Sequence, residues 1–285
     1  MKLPSRRAST EHTELQQRVA ELERRLARAR RRLRTCERSQ ERARLELAAL
    51  RTASLDVFPD VEVPAGLGEA IRRIREEHLT FLSELHLQAL VQCVLETERS
   101  GREGIIVEAG TARGGSAIAM ALAKHPSRPM QVFDVFGMIP PPGEHDGEDI
   151  QDRYRVIASG RARGPAEGVE YYGYREDLLG EVRESFARHG AETHARSVEL
   201  VPGLFEDTIT GAEPVALAHV DGDWYDSTMT CLTRLAPRLV PGGRIVVDDY
   251  FAWSGCRRAV DEYFAERPGF RVEMRAKVHV VRFAA

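Results

Sequence analysis

The stretch from Leu217 to Phe251, LAHVDGDWYDSTMTCLTRLAPRLVPGGRIVVDDYF, limits the fold of this chain more than any other part of it. An apolar run, Leu217 to Val220, stops abruptly at Asp221, Asp223 and Asp226, and a second run, Arg244 to Val247, stops at Asp248 and Asp249. Between them, Met229, Leu232, Leu235 and Leu239 fall at helical spacing, and Pro241-Gly242-Gly243 supplies a stop. The pattern predicts a right-handed strand–helix–strand crossover in a parallel sheet. Ligands of such sheets sit beyond the carboxyl ends of the strands, and here two of those ends deliver acid. A divalent-metal site follows as the expectation.

Upstream, GIIVEAGTARGGS runs from a short apolar strand, Ile105 to Val107, through Glu108, Gly110, Thr111, Arg113, Gly114 and Ser116 into a helix. Glycines in a strand-to-helix turn let backbone approach a nucleotide-like ligand. The G-x-x-x-G-G spacing departs from the dinucleotide fingerprint G-x-G-x-x-G, which argues against a pyrophosphate cofactor. A second strand, Gln131 to Val135, carries Asp134, an acid placed to accept hydrogen bonds from ribose hydroxyls. A third, Val198 to Val201, leads into Gly203 and Phe205, the latter able to pack on an adenine face, while Asp207-Thr208 caps the next turn. These features in this order favour an adenosine-type ligand. Two short terminal strands, Phe270 to Met274 and Lys277 to Phe283, are joined tightly enough to be antiparallel. The expected fold is therefore α/β and Rossmann-like, a parallel sheet ending in an antiparallel hairpin.

Residues 1–52 are different. Apolar residues recur at steps of four and three from Leu15 through Val19, Leu22, Leu26, Ala29, Leu33, Cys36, Gln40, Ala43 and Leu47 to Leu50, which predicts a basic coiled-coil helix that self-associates. This arm holds 15 Lys/Arg against 7 Asp/Glu, about +8, so a net charge of −3 leaves the remainder near −11. The arginines flank an apolar seam without a groove-reading motif, so nucleic acid is not the expected partner. Residues 53–66 read as a linker and 67–285 as the catalytic-size domain, with an irregular insertion at 137–173 in the position of a lid. Within it, His145, Asp146, Glu148 and Asp149 are either metal ligands or a solvated acidic loop, and the latter is preferred. Cys36, Cys93, Cys231 and Cys256 lack close pairing, which suits reduced thiols in a cytoplasmic protein. No apolar run is long enough for a membrane span, and the N-terminus has no signal-peptide core.

Asp221, Asp248 and Asp249 are the expected metal ligands, and carboxylates without His or Cys suit Mg2+. The simpler reading leaves only Asp221 functional, since neighbours on a regular strand face opposite ways. Asp223 is the candidate general base, with helix capping its alternative role. His219 reads as a core histidine and His279 as a reserve base.

The runs VEAGTARGGS, PGLFEDT, LAHVDGDWYDSTMTCLTRLAPRLVPGGRIVVDDY and CRRAVDEYF resemble the macrocin O-methyltransferase family, which includes sugar methyltransferases of antibiotic biosynthesis. The resemblance covers roughly residues 67–285. It implies transfer of methyl from S-adenosylmethionine, with Mg2+, to a hydroxyl of a sugar or glycosylated natural product. It places the metal on Asp221, Asp248 and Asp249, the base on Asp223, and the cofactor on Glu108 to Ser116 and Asp134. Ala112 stands where the family commonly has an aromatic residue, and the insertion and the coiled coil are additions. A small phenol or catechol acceptor with paired oxygens, or a non-catalytic scaffold, are the alternative readings.

Overall fold

The computed structural model describes residues 16–33, 35, 36, 40, 43, 47, 58 and 60–283. The chain divides into two compact units, 1–45 and 46–285. In the first, residues 16–33 form helix α1, and every described residue of this unit is solvent-exposed. The sequence from Leu15 to Leu50 has no Gly or Pro to interrupt a helix, and the described positions 35, 36, 40, 43 and 47 are helical too. Leu15 and Leu50, the outer members of the predicted seam, lie outside the described residues, as does much of the predicted linker.

The second unit holds one seven-stranded sheet in the order β3-β2-β1-β4-β5-β7-β6. Its strands are β1 (Ile105–Ala109), β2 (Met130–Asp134), β3 (Val198–Pro202), β4 (Val215–Val220), β5 (Leu239–Val247), β6 (Phe270–Met274) and β7 (Val278–Arg282). The first five pair in parallel, β7 runs antiparallel to β5, and β6 is the antiparallel edge. The chain moves outward from β1 through β2 to β3, then returns to the other side of β1 for β4. That reversal makes the crevice between the carboxyl ends of β1 and β4 the place where such sheets bind ligands.

Helices cover both faces, because alternate strand residues are apolar in both directions. On one face, Ile106, Val132, Leu217 and Val246 pack with α2 (Ala65–Glu76), α3 (Glu84–Arg99), α4 (Gly115–Ala123) and α6 (Leu178–Arg188). On the other, Val107, Val220, Ile245 and Val247 meet Cys231, Leu232 and Leu235 of α8 (Tyr225–Leu235) and Val260 of α9 (Ser254–Phe264). Each such large apolar side chain contributes about 1.5–3 kcal/mol on burial. A short helix, α7 (Phe205–Thr208), follows β3.

Two elements differ from the sequence reading. The Pro241-Gly242-Gly243 stop lies inside β5, which begins at Leu239; the β4–β5 pairing skips register between Val215 and Leu217, and a bulge absorbs the turn residues. The supposedly irregular insertion contains helix α5 (Glu148–Ala158). Ile150 and Ile157, seven residues apart on one side of it, bury themselves with Ile139, Tyr171 and Trp224 in a separate small core.

Candidate active site

The turn after β1 is built on a contact that only glycine permits. Gly110 has φ +89°, and a Cβ there would stand 2.0 Å from the backbone oxygen of Asp221 at the end of β4. The two strand ends that form the crevice thus touch through backbone. Asp134, at the end of β2, fixes the turn from the side: one carboxylate oxygen accepts from the amides of Thr111 (2.7 Å) and Ala112 (3.1 Å), the other from Phe136 (2.7 Å). Three of its roughly four lone pairs are used, which leaves room for one hydroxyl donor. The Gly203 amide donates to the Asp134 carbonyl (2.9 Å) and brings the β3 turn alongside. The hydroxyl of Thr111 is buried and has no partner among the described residues.

Other residues expected at the cofactor have partners within the protein. Both carboxylate oxygens of the fully buried Glu108 are engaged, one by the Ser116 hydroxyl and one by His219 Nδ1 (3.0 Å). Arg113 donates to the carbonyl of His78 (3.2 Å), and Phe205 packs into the α8–α9 core. A chain of buried ionic groups continues from Glu108 through His219 to Asp248 (3.6 Å) and on to Lys277 (2.9 Å). Burial alone would depress His219, but Glu108 and Asp248 outweigh it and raise its pKa to about 10, so it is an imidazolium. His219 is the satisfied core histidine expected.

The acidic cluster has a different membership from the one expected. Ligand oxygens of Asp221, Asp223 and Asp249 lie within 4.8 Å of one another. Asp248 is outside this group: it pairs with Lys277 and His219, and against the cost of burial those cations hold its carboxyl well below the ordinary range. The physical reason is that β5 ends at Val247 and the chain turns at once into the tight helical turn Asp249–Phe251, so Asp248 meets Lys277 and His219 while Asp249 faces Asp221 and Asp223. Burial first pushes Asp221, Asp223 and Asp249 above the ordinary carboxylate range, followed by the charge of Asp249 on Asp221 and Asp223 and of Asp248 on Asp249. Hard oxygen donors that repel one another when left alone fit a divalent cation. Asp223 is held at φ +55°, its amide donating to Asp249 (3.1 Å) and its Oδ1 accepting from Trp253 Nε1 (2.9 Å).

His279 is remote in role. It is buried on β7, with Arg244 Nη1 3.0 Å from its Nδ1; burial and then the charges of Arg244 and Arg275 push its pKa well below 6.5. A neutral histidine already occupied by Arg244 is a core element, not a base for an acceptor.

The insertion closes one side of the cluster. Tyr171 and Tyr172 stand near its end, where burial first and then the Asp223 charge raise both phenols, while Arg153 on α5 lowers Asp223. Trp224 donates from Nε1 to the Pro140 carbonyl (2.9 Å) and meets Trp253 edge-on at 6.1 Å. Of the acids of the insertion, Glu148 is solvent-exposed, while Asp146 is buried and accepts from the amide of Tyr225, and Asp149 accepts from the amide and hydroxyl of Ser254. These two aspartates cap the first residues of α8 and α9.

Residues 76–275 match the family described as macrocin-O-methyltransferase (TylF). The chain belongs to this family. A tetracenomycin-type rhamnosyl 4'-O-methyltransferase of Streptomyces olivaceus is 34% identical over 222 residues, covering 76% of this chain and 77% of that protein. Demethyldecarbamoylnovobiocin O-methyltransferase of Streptomyces niveus is 33% identical over 66% of this chain and 68% of its own. Mycinamicin III 3''-O-methyltransferase of Micromonospora griseorubida is 31% identical over 75% and 85%. Among solved structures, the O-methyltransferase NovP superposes with a TM-score of 0.58 at 28% identity, over 73% of this chain and 83% of that one. Family membership makes this chain an S-adenosylmethionine-dependent O-methyltransferase.

Trp253, Lys277, Tyr171 and Tyr172 were not singled out from sequence. Trp253 alone carried a local signal, as an aromatic residue just beyond the DDYF segment.

Proposed function

We propose that this enzyme methylates a hydroxyl of a sugar carried on a natural product, with a divalent cation, most simply Mg2+, held by Asp221 and Asp249 beside Asp223. The observation that carries the reading is the meeting of three carboxylates within 4.8 Å of one another, one of them held by the indole of Trp253. Aromatic faces suit the C–H surface of a pyranose, and the relatives act on rhamnosyl, novobiocin-type and mycinamicin acceptors. An acceptor with vicinal hydroxyls supplies paired oxygens to the cation.

Asp221 and Asp249 belong both to the ligand set expected from sequence and to the observed cluster, and we assign the cation to them. A cation there supplies Lewis acidity that lowers the pKa of an acceptor hydroxyl. Asp223, steadied by Trp253 and the Asp249 carboxylate, takes the acceptor proton. Asp134 and Thr111 orient the methyl donor, and the docked insertion excludes water while the methyl moves in line. Asp248 acts as an anchor, tying the β5 end to β7 through Lys277.

The test is product analysis by mass spectrometry with S-adenosylmethionine and a panel of deoxysugar glycosides, their aglycones and catechol, with Mg2+ and with EDTA. The reading expects a 14 Da gain on glycosides only, lost with EDTA and in Asp249→Asn. Methylation of catechol or aglycone instead would overturn the sugar assignment, and activity unchanged in EDTA would overturn the cation.

A further inference from the structure

At one end of the sheet, β6 presents a free edge. Its ladder with β7 alternates: the Gly269 carbonyl accepts from Phe283 (3.1 Å) and the Arg275 amide donates to the Lys277 carbonyl (2.9 Å). Arg271 and Glu273, in step with those two ends, therefore turn their backbone groups inward to Val281 and His279. The amides and carbonyls of Phe270, Val272 and Met274 point out of the sheet, and no hydrogen bond reaches them from another described residue. Val272 and Met274 are each 41% exposed, and β6 has neither the proline nor the bulge that commonly guards an edge. Phe270 is backed by Phe264 of α9, with ring centroids 5.2 Å apart. Its two charges, Arg271 and Glu273, are of opposite sign and share the other face of the strand.

The order Phe270-Arg271-Val272-Glu273-Met274 is complementary to itself when reversed about Val272. An antiparallel copy centred there sets Val272 against Val272, Phe270 against Met274 and Arg271 against Glu273. Outward backbone then meets outward backbone, one face of the joint is apolar, and the other carries two pairs of opposite charge. Sliding the copy by two residues one way confronts Arg271 with Arg271, and the other way Glu273 with Glu273. A parallel copy fails before charge is considered. In a parallel ladder an outward residue bonds to the two positions flanking the residue opposite it, so Val272 would stand opposite Arg271 or Glu273 and share a face with it. Within one chain Arg271 and Arg275 already meet Glu273, each through Nε at 2.8 Å, and the Arg271 side chain is 66% exposed, so its reach across an added strand needs no change in the fold. We infer that β6 docks a second copy of this chain, the two strands pairing antiparallel about Val272 to join two sheets into one. With five residues a side the contact is small, and the pair forms reversibly, at concentrations on the order of 10 µM.

The test uses the full-length protein with Cys36→Ser, which removes the exposed thiol, and Val272→Cys, treated with a short bis-maleimide and read on denaturing gels. A covalent dimer is expected. Adding Arg271→Glu sets glutamate against Glu273 on both sides of the two-fold axis, and adding Glu273→Arg instead sets arginine against Arg271. Either should raise the concentration for half-maximal linking about tenfold. An equimolar mixture of the two variants restores both attractive pairs, so it should link at the parent's concentration, into mixed dimers that mass spectrometry distinguishes. No link in the parent, links indifferent to the charge changes, or a mixture that links no better than its components overturns the inference. Val272→Pro tests the same joint without touching a charge. The Val272 amide does not donate to β7, so the melting temperature in dilute solution should hold. The weight-average mass by sedimentation at about 100 µM should fall below that of the wild type, and an unchanged mass overturns the pairing.

Discussion

Replacing Gly110 with alanine separates two costs that a second glycine isolates. Gly101 and Gly110 both have left-handed backbones, with φ of +63° and +89°. A Cβ at Gly101 meets nothing within 4 Å, whereas at Gly110 it would lie 2.0 Å from the Asp221 backbone oxygen and 2.9 Å from its carbonyl carbon. Gly101→Ala therefore carries only the backbone term, about 1–2 kcal/mol. Gly110→Ala adds overpacking of about 1–3 kcal/mol, and the obstructing atom is main chain that cannot swing away. At roughly 2–4 °C per kcal/mol for a unit of this size, the melting temperature should fall by about 2–8 °C in Gly101→Ala and about 4–20 °C in Gly110→Ala. Relief of the clash must part β1 from β4, which moves the Thr111 and Ala112 amides off Asp134 and the Asp221 carboxylate off its neighbours. Titration calorimetry should then show loss of S-adenosylmethionine affinity in Gly110→Ala and wild-type affinity in Gly101→Ala. Equal melting temperatures for the two variants, or intact binding in Gly110→Ala, would refute the claim that the crevice depends on this backbone contact.

In the metal-free protein, Asp221, Asp223 and Asp249 have pKa values raised above those of the unfolded chain. Their contribution is therefore present at low pH and lost as pH rises through that elevated range. Mg2+ should cancel the loss, giving a melting-temperature difference between Mg2+ and EDTA that widens with pH, with proton release on titration; Asp249→Asn should narrow it, and a difference independent of pH would count against the cluster as the cation site. Asp248 has the opposite sign, its stabilisation being lost only as pH falls below the ordinary carboxylate range. Lys277→Met leaves that buried carboxylate with His219 alone and should cost about 3 kcal/mol by denaturant unfolding; a cost under about 1 kcal/mol would remove Lys277 as its anchor. Trp253→Phe keeps an aromatic ring but deletes the donor to Asp223, so kcat should fall about tenfold with KM nearly unchanged; an unchanged kcat would mean that Asp223 needs no such orientation. Asp146→Ala removes an acceptor shared by the amides of Tyr225 and Gly143 and should cost about 1–2 kcal/mol while raising KM for the acceptor; wild-type stability would show that the insertion docks by its apolar contacts alone.

The parallel sheet, its terminal hairpin and the glycine turn were legible because each is written in contiguous residues: apolar runs, their abrupt polar ends and the spacing of helical positions between them. The membership of the acidic cluster was not. Asp248 and Asp249 are adjacent, and which one faces Asp221 is decided where β5 gives way to the tight turn Asp249–Phe251. The decision is reinforced by Lys277, which arrives from 29 residues further on and claims Asp248. Helix α8 shows the same limit more sharply. A local reading offers Asp223 or Asp226 as its cap, since caps usually lie within a few residues of the amides they satisfy. Instead Trp224 precedes the helix without a side-chain cap, and the acceptor for the Tyr225 amide is Asp146, 79 residues earlier. Asp149 reaches Ser254 across 105 residues in the same way. Local caps at these two helix starts would have freed the insertion from α8 and α9. Long-range caps make the docking of the wall over the crevice a condition for satisfying the helices beneath it, so Asp223 and Trp253 are positioned by the same contacts that close the site.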